Sequence, residues 1–82
     1  MDPAQKLTSM FREALEDESI VLTSDLNARD LDWDSFNHMN LMILIEEGFG
    51  ITIDAAEVVR MRDVGAMVEI LRSKGCEIRL DG

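Results

Sequence analysis

The chain has 82 residues, of which 46% are apolar, and its 8 basic and 17 acidic side chains give a formal net charge of −9. This length fits a single domain, residues 1–82, and is too short for a deeply enclosed active site. The acidic balance argues against nucleic-acid binding and favours basic protein partners. No apolar run approaches the ~20 residues that span a bilayer, and no signal peptide is recognisable, so we expect a cytoplasmic protein without membrane insertion.

The first predicted helix runs from Pro3 to about Leu15. Asp2 can cap it, proline suits its first position, and apolar side chains recur at helical spacing on one face. A long connection follows, roughly from Asp17 to Trp33, and it contains apolar side chains at Ile20, Leu22, Leu26 and Leu31. We expect these anchors to hold the connection in an ordered path across the domain.

The second predicted helix, from Ser35 to about Glu47, is apolar on two faces. At 100° per residue, one face holds Leu41, Met42, Ile45 and Phe49, and the nearly opposite face holds Phe36, Met39 and Ile43. We expect the first face to be core and the second to be exposed for a partner, because so small a domain can hardly bury both. The alternative is a central helix that is buried on both faces.

The remainder predicts two more helices. Gly48 and Gly50 punctuate the second helix, Ile51-Thr52-Ile53 is a short extended link, and Asp54 can cap a brief helix over Ala55–Arg60. Asp63 can cap a fourth helix that ends near Gly75, and 76–82 is expected to be a flexible tail with Cys76 as an inert thiol. The predicted fold is all-α, a small four-helix bundle of three longer helices and one short helix, with a long loop between the first two.

Ser35 stands where the long loop becomes the second helix, and either Asp34 or Ser35 can cap that helix. The first amides of a helix lack intrahelical partners, and the macrodipole favours negative charge there. A hydroxyl at this position is therefore well placed to carry a phosphate-linked group. From patterning alone, the default interpretation is a serine that only caps a helix, in an unmodified acidic helical adaptor.

Two other chemistries fit the residues poorly. His38 can neighbour Ser35 on the helix, but a nucleophilic serine also needs an orienting acid and an oxyanion hole, and no glycine-flanked elbow is present. The acidic run from Asp25 to Asp34 fails as a calcium loop, because neither possible register has the required glycine or the final glutamate. We therefore expect neither catalytic residues nor a metal site.

A family resemblance favours a carrier. Asp34-Ser35-Phe36 resembles the Asp-Ser-Leu modification motif of acyl carrier proteins. The context is similar too: a first helix of matching length, Asp30-Leu31 before the motif and Ile45-Glu46-Glu47-Gly48-Phe49 at the end of the second helix. Further along the chain, Ile51-Thr52-Ile53 resembles the link to the family's short third helix, and Asp63-Val64 the start of its fourth. The resemblance covers about Leu7 to Lys74.

The resemblance implies that Ser35 is the attachment point of 4′-phosphopantetheine, transferred from coenzyme A by a phosphopantetheinyl transferase. The arm would carry acyl groups as thioesters to partner enzymes, so the chain itself would be a carrier and not an enzyme. Recognition by the transferase and by acyl-transferring or synthase enzymes with basic docking patches would fall to Asp34, Phe36, Met39, Ile43, Glu46 and Glu47. The carrier is expected to be a monomer.

The motif region also departs from the family pattern. Asp32-Trp33 replaces a glycine and a small or apolar residue, Phe36 replaces leucine, and Asn40 stands where a glutamate is usual. These departures favour a specialised carrier in fatty-acid, specialised lipid or polyketide synthesis. A stand-alone aminoacyl or peptidyl carrier is the alternative. Trp33 is expected either to anchor the loop or to cover the base of the arm.

Overall fold

The computed structural model of the protein describes residues 2–31 and 33–80. They contain four helices: α1 (Pro3–Leu15), α2 (Ser35–Phe49), α3 (Ala55–Arg60) and α4 (Val64–Ser73). The predicted all-α bundle and its long loop are thus confirmed. Helix α2 extends two residues beyond the predicted Glu47, because the chain leaves the helix only at Gly50, whose φ of 66° is easily adopted by glycine. None of the helices in the described residues is both long and apolar enough to cross a membrane.

Every helix begins with an aspartate cap. In each case the carboxylate accepts a hydrogen bond from the backbone amide three residues later, which satisfies one of the amides left without an intrahelical partner. The four pairs are Asp2 with Gln5 (2.9 Å), Asp34 with Asn37 (2.8 Å), Asp54 with Glu57 (2.8 Å) and Asp63 with Ala66 (2.7 Å). The open choice between Asp34 and Ser35 is therefore decided for Asp34, and Ser35 becomes the first helical residue.

The two apolar faces of α2 have different environments. Leu41, Met42 and Ile45 are at most 2% exposed and pack in the core with α1, whereas Phe36, Met39 and Ile43 are 74%, 52% and 49% exposed. The prediction of one core face and one exposed face is confirmed. The exposed row lies on the side of the helix turned away from Leu41, Met42 and Ile45, where a neighbouring protein can reach it.

The long loop between α1 and α2 is joined to the link between α3 and α4. Val64 donates its amide proton to the Leu26 carbonyl (2.9 Å), Ala28 donates to the Arg62 carbonyl (3.0 Å), and Asn27 forms an isolated antiparallel bridge with Asp63. Ile20 and Leu22 are buried, as predicted for anchors. These contacts fix the backbone of Arg62.

The C-terminal segment packs more closely than the sequence suggested. Lys74, not Gly75, caps α4, and Gly75 follows with a φ of 94° that turns the chain back so that the Cys76 amide reaches the Leu71 carbonyl (2.9 Å). Cys76 and Ile78 are buried, in contrast to the flexible tail expected for 76–82. The overlooked signal is the alternation of these two side chains with the exposed Glu77 and Arg79. Asp81 and Gly82 lie outside the described residues.

Candidate functional site

Ser35 lies at the N-terminus of α2 with its side chain exposed to solvent. The preceding Asp34 is also exposed and extended (φ −84°, ψ −179°), and its Oδ1 accepts the Asn37 amide. Because the cap is supplied by Asp34, the Ser35 hydroxyl is not needed to satisfy the helix. It stands beside the first-turn amides, where the helix dipole favours an anionic substituent.

Trp33 anchors the loop just before the serine. Its side chain is 1% exposed, and its ring meets the Phe11 ring edge-to-face, with centroids 5.0 Å apart and an interplanar angle of 85°. This is a favourable geometry for an aromatic pair in a core. The expectation of loop anchoring is confirmed, and the alternative, that the indole covers the base of an arm, stays a prediction.

The His38 side chain is 3% exposed and is therefore buried in the core. The Trp33 Nε1–H group donates to His38 Nδ1 (2.8 Å), and His38 Nε2 lies 2.7 Å from the Val58 carbonyl oxygen. An indole nitrogen can only donate, so Nδ1 accepts and Nε2 carries the proton that is donated to Val58. Both ring nitrogens are thus engaged, and neither is left to act as a base for Ser35.

The environment of His38 favours its neutral form. Burial lowers the pKa of the imidazole, the hydrogen bond to the Val58 carbonyl opposes this effect, and the positive charge of Arg62 adds to the lowering. Arg62 also donates from Nη2 to the Trp33 carbonyl oxygen at 2.6 Å. Sequence reasoning missed this network. The available signal was the helical register, since His38 precedes Leu41, Met42 and Ile45 by three, four and seven residues on the core face.

The exposed row Phe36, Met39 and Ile43 begins next to Ser35 and runs along α2. Two of the acidic residues predicted for partner recognition differ in their surroundings. Glu47 is exposed, but Glu46 is half-buried and its Oε2 accepts the Ile53 amide at 2.8 Å. Glu46 therefore has a structural role in holding the link before α3, in addition to the negative charge that it presents.

The aspartates of the long loop serve local turns. Asp25 accepts the Thr23 hydroxyl (2.6 Å), and Asp30 accepts the Asn27 amide (3.2 Å). Such short-range bonds are typical of aspartate in loops and account for these residues without a bound ion. Asp32, another member of the run, lies outside the described residues.

Comparison with known proteins gives consistent results. The family described as phosphopantetheine attachment site matches residues 5–71. Acyl carrier proteins of Rickettsia canadensis (strain McKiel) and Rickettsia rickettsii (strain Iowa) are each 31% identical over 71 residues, which cover 85% of this chain and 83% of theirs. The chain belongs to the acyl carrier protein family. The solution NMR structure of holo acyl carrier protein from Geobacter metallireducens matches with a TM-score of 0.75 and 31% identity over 99% of this chain and all of that one.

Membership of the acyl carrier protein family confirms the resemblance seen in the sequence. The chain is a carrier rather than an enzyme, and its expected cofactor, a covalently attached phosphopantetheine, is confirmed. The residues around Ser35 fit that group: an exposed hydroxyl that the helix does not need, at a helix N-terminus suited to a phosphate.

Proposed function

We propose that Ser35 is the attachment point of 4′-phosphopantetheine and that the chain carries acyl groups as thioesters on the arm's terminal thiol. The observation that carries the proposal is the exposure of Ser35 as the first residue of α2, directly after a capping aspartate and within the family match. A phosphopantetheinyl transferase would transfer the group from coenzyme A. The serine oxygen would form the new bond to phosphorus, its proton would leave, and adenosine bisphosphate would depart.

The phosphodiester would benefit from its position on α2. Its negative charge would face the amides of the first turn and the positive end of the helix dipole, an effect of about 0.3–1 kcal/mol at an exposed helix end. Asp34 is held in the cap by the Asn37 amide, so its carboxylate has a defined position beside the serine. We assign it a role in recognition by the transferase rather than in the chemistry.

Partner enzymes would dock along α2. Phe36, Met39 and Ile43 supply an exposed apolar strip that begins beside Ser35, and Glu47 and the half-buried Glu46 supply negative charge at its far end. Basic patches on an acyltransferase or synthase would be steered toward this surface by the protein's net charge of −9. We assign the carrier to the cytoplasm, as a monomer, in fatty-acid, specialised lipid or polyketide synthesis.

Intact-protein mass spectrometry tests the assignment. The wild-type apo chain, Ser35→Ala and the control Ser9→Ala, which alters another exposed serine, are incubated with coenzyme A and a broad-specificity transferase. Wild type and Ser9→Ala should gain the mass of one phosphopantetheine, and Ser35→Ala should gain none. A mass gain in Ser35→Ala would place the attachment elsewhere. The mass of protein from its native host, before and after thioester cleavage, would distinguish an acyl from an aminoacyl cargo.

A further inference from the structure

Trp33, two residues before the serine, is held through both its side chain and its backbone. Its indole Nε1–H donates to His38 Nδ1 at 2.8 Å, and its carbonyl oxygen accepts from Arg62 Nη2 at 2.6 Å. The carbonyl belongs to the peptide that joins Trp33 to Asp34. The direction in which the chain enters α2 is therefore fixed by side chains that lie far from it in sequence.

The two groups that hold Trp33 are themselves fixed. His38 lies in α2 and donates from Nε2 to the Val58 carbonyl of α3. The backbone of Arg62 is paired with Ala28 of the long loop. The three side chains, which we call the Trp33 clamp (Trp33, His38 and Arg62), thus tie α2, α3, the α3–α4 link and the loop together.

We infer that the Trp33 clamp positions Asp34 and Ser35 for modification, with His38 and Arg62 as positioning residues. This inference rests on the proposed assignment of Ser35 as the attachment point. A phosphoryl acceptor must be aligned with the donor, and a displacement of about 1 Å can cost as much as 100-fold in rate. Ser35 itself is exposed, so the alignment of its hydroxyl depends on the backbone that precedes it, which the clamp holds from the interior.

The clamp requires a neutral His38. Protonation would add a hydrogen to Nδ1, which would then face the Trp33 N–H group as a second donor. The hydrogen bond from Trp33 to His38 would be lost. The groups that face the ring are the Trp33 indole, the Val58 carbonyl of α3 and the positive charge of Arg62 from the α3–α4 link. Acid should therefore release the clamp at a pH below the ordinary histidine pKa of about 6.5.

Two substitutions at one position separate the contacts of His38. His38→Asn places an amide oxygen near the position of Nδ1 and can still accept from Trp33, whereas His38→Gln reaches toward Val58 and leaves Trp33 without its acceptor. Initial rates of loading are measured with one transferase at several concentrations of carrier. We expect kcat/KM to fall on the order of tenfold for His38→Gln, mainly in kcat, and to stay within about threefold of wild type for His38→Asn.

Substitutions of Arg62 provide an independent test of the clamp. Arg62→Met keeps the apolar stem but removes the donor to the Trp33 carbonyl and should lower kcat on the order of tenfold, whereas Arg62→Lys should restore part of the rate. Trp33 is the only tryptophan, so its fluorescence emission reports the clamp directly. Circular dichroism establishes that each compared variant is folded at the assay temperature, and if a His38 variant is not, the Arg62 pair decides.

The pH dependence of the loading rate distinguishes a positioning role of His38 from a purely structural one. The ratio of wild-type to His38→Asn loading rates cancels the transferase's own titration, and it should decline as pH falls below about 6.5, because only the wild type loses its clamp by protonation. Wild-type rates in every clamp variant, with a flat ratio, would overturn the positioning role and leave Ser35 as the attachment point. Mass gain by Ser35→Ala would instead overturn the assignment of Ser35.

Discussion

Met39 and Met42 lie three residues apart on α2 and form a matched pair for testing the two faces of the helix. Met39 is 52% exposed in the row beside Ser35, and Met42 is 2% exposed in the core. Substituting glutamate at either position changes the same side chain on the same helix and adds the same charge. Any difference between Met39→Glu and Met42→Glu therefore reports the surroundings of the side chain.

The expected free energies of unfolding differ widely. An exposed substitution usually changes stability by no more than about 0.5 kcal/mol, which is the prediction for Met39→Glu. Met42→Glu removes a buried apolar side chain and puts a carboxyl group in its place, at a cost of at least about 3 kcal/mol. A chain of this length has a total free energy of unfolding of about 4–12 kcal/mol. Met42→Glu should therefore lose a large part of that free energy, and at the low end of the range it should be largely unfolded.

Urea unfolding, followed by circular dichroism and by the fluorescence of the buried Trp33, measures both variants. Loading by the transferase then measures recognition. Met39→Glu should raise KM several-fold with an unchanged unfolding midpoint, because it charges the exposed row that we propose as the docking surface. A destabilisation of Met39→Glu by 2 kcal/mol or more would show that this face supports the fold. An unchanged KM would remove Met39 from the transferase's contact surface.

Three further predictions concern the interior. The free energy of unfolding of the wild type should fall as the pH drops below about 6.5, because the histidine of the unfolded state binds a proton that the buried His38 resists. Urea titrations at pH 7.5 and 5.5 should show a smaller fall for His38→Gln. Ile78→Ala should cost about 2–4 kcal/mol in urea unfolding and Arg79→Ala almost nothing; equal, small effects would mean that the C-terminal segment contributes no packing energy. Burial raises the pKa of the Cys76 thiol despite the nearby Lys6 and Lys74, so a thiol reagent should react slowly with the apo protein. After loading, the reagent should react rapidly with one additional thiol, that of the arm. A fast reaction of the apo protein would contradict the burial of Cys76.

Local signals predicted much of the fold. Asp2 before Pro3, and Asp54 and Asp63 before short apolar runs, marked the starts of three helices because capping depends on residues close in sequence. The two faces of α2 followed from the helical period. The sequence also indicated which face is exposed, since a domain this small that buries Leu41 and its neighbours leaves Phe36, Met39 and Ile43 at the surface.

The parts that the sequence did not reveal depend on contacts between distant residues. Arg62 reaches the Trp33 carbonyl across 29 positions, and His38 reaches the Val58 carbonyl across 20, so no local pattern identifies either partner. The structural role of Glu46 was missed for the same reason. Its charge suggested a docking role, but its carboxylate also accepts a hydrogen bond from the Ile53 amide. The packed tail was overlooked because two apolar residues among charges are a weak signal for a strand-like segment.

Trp33, one of the departures from the family motif, is physically connected to His38 through the interior. A tryptophan directly before Asp34-Ser35 can be buried only if its N–H group finds an acceptor, and His38, one turn into α2, provides it. Removing either partner leaves a buried polar group unsatisfied, at about 1–3 kcal/mol, whereas exchanging both for apolar side chains of similar shape avoids that cost. Trp33 and His38 therefore act as one unit. Since that unit also holds the peptide that leads into Asp34 and Ser35, Trp33 and His38 would influence how the proposed attachment serine is presented to a transferase.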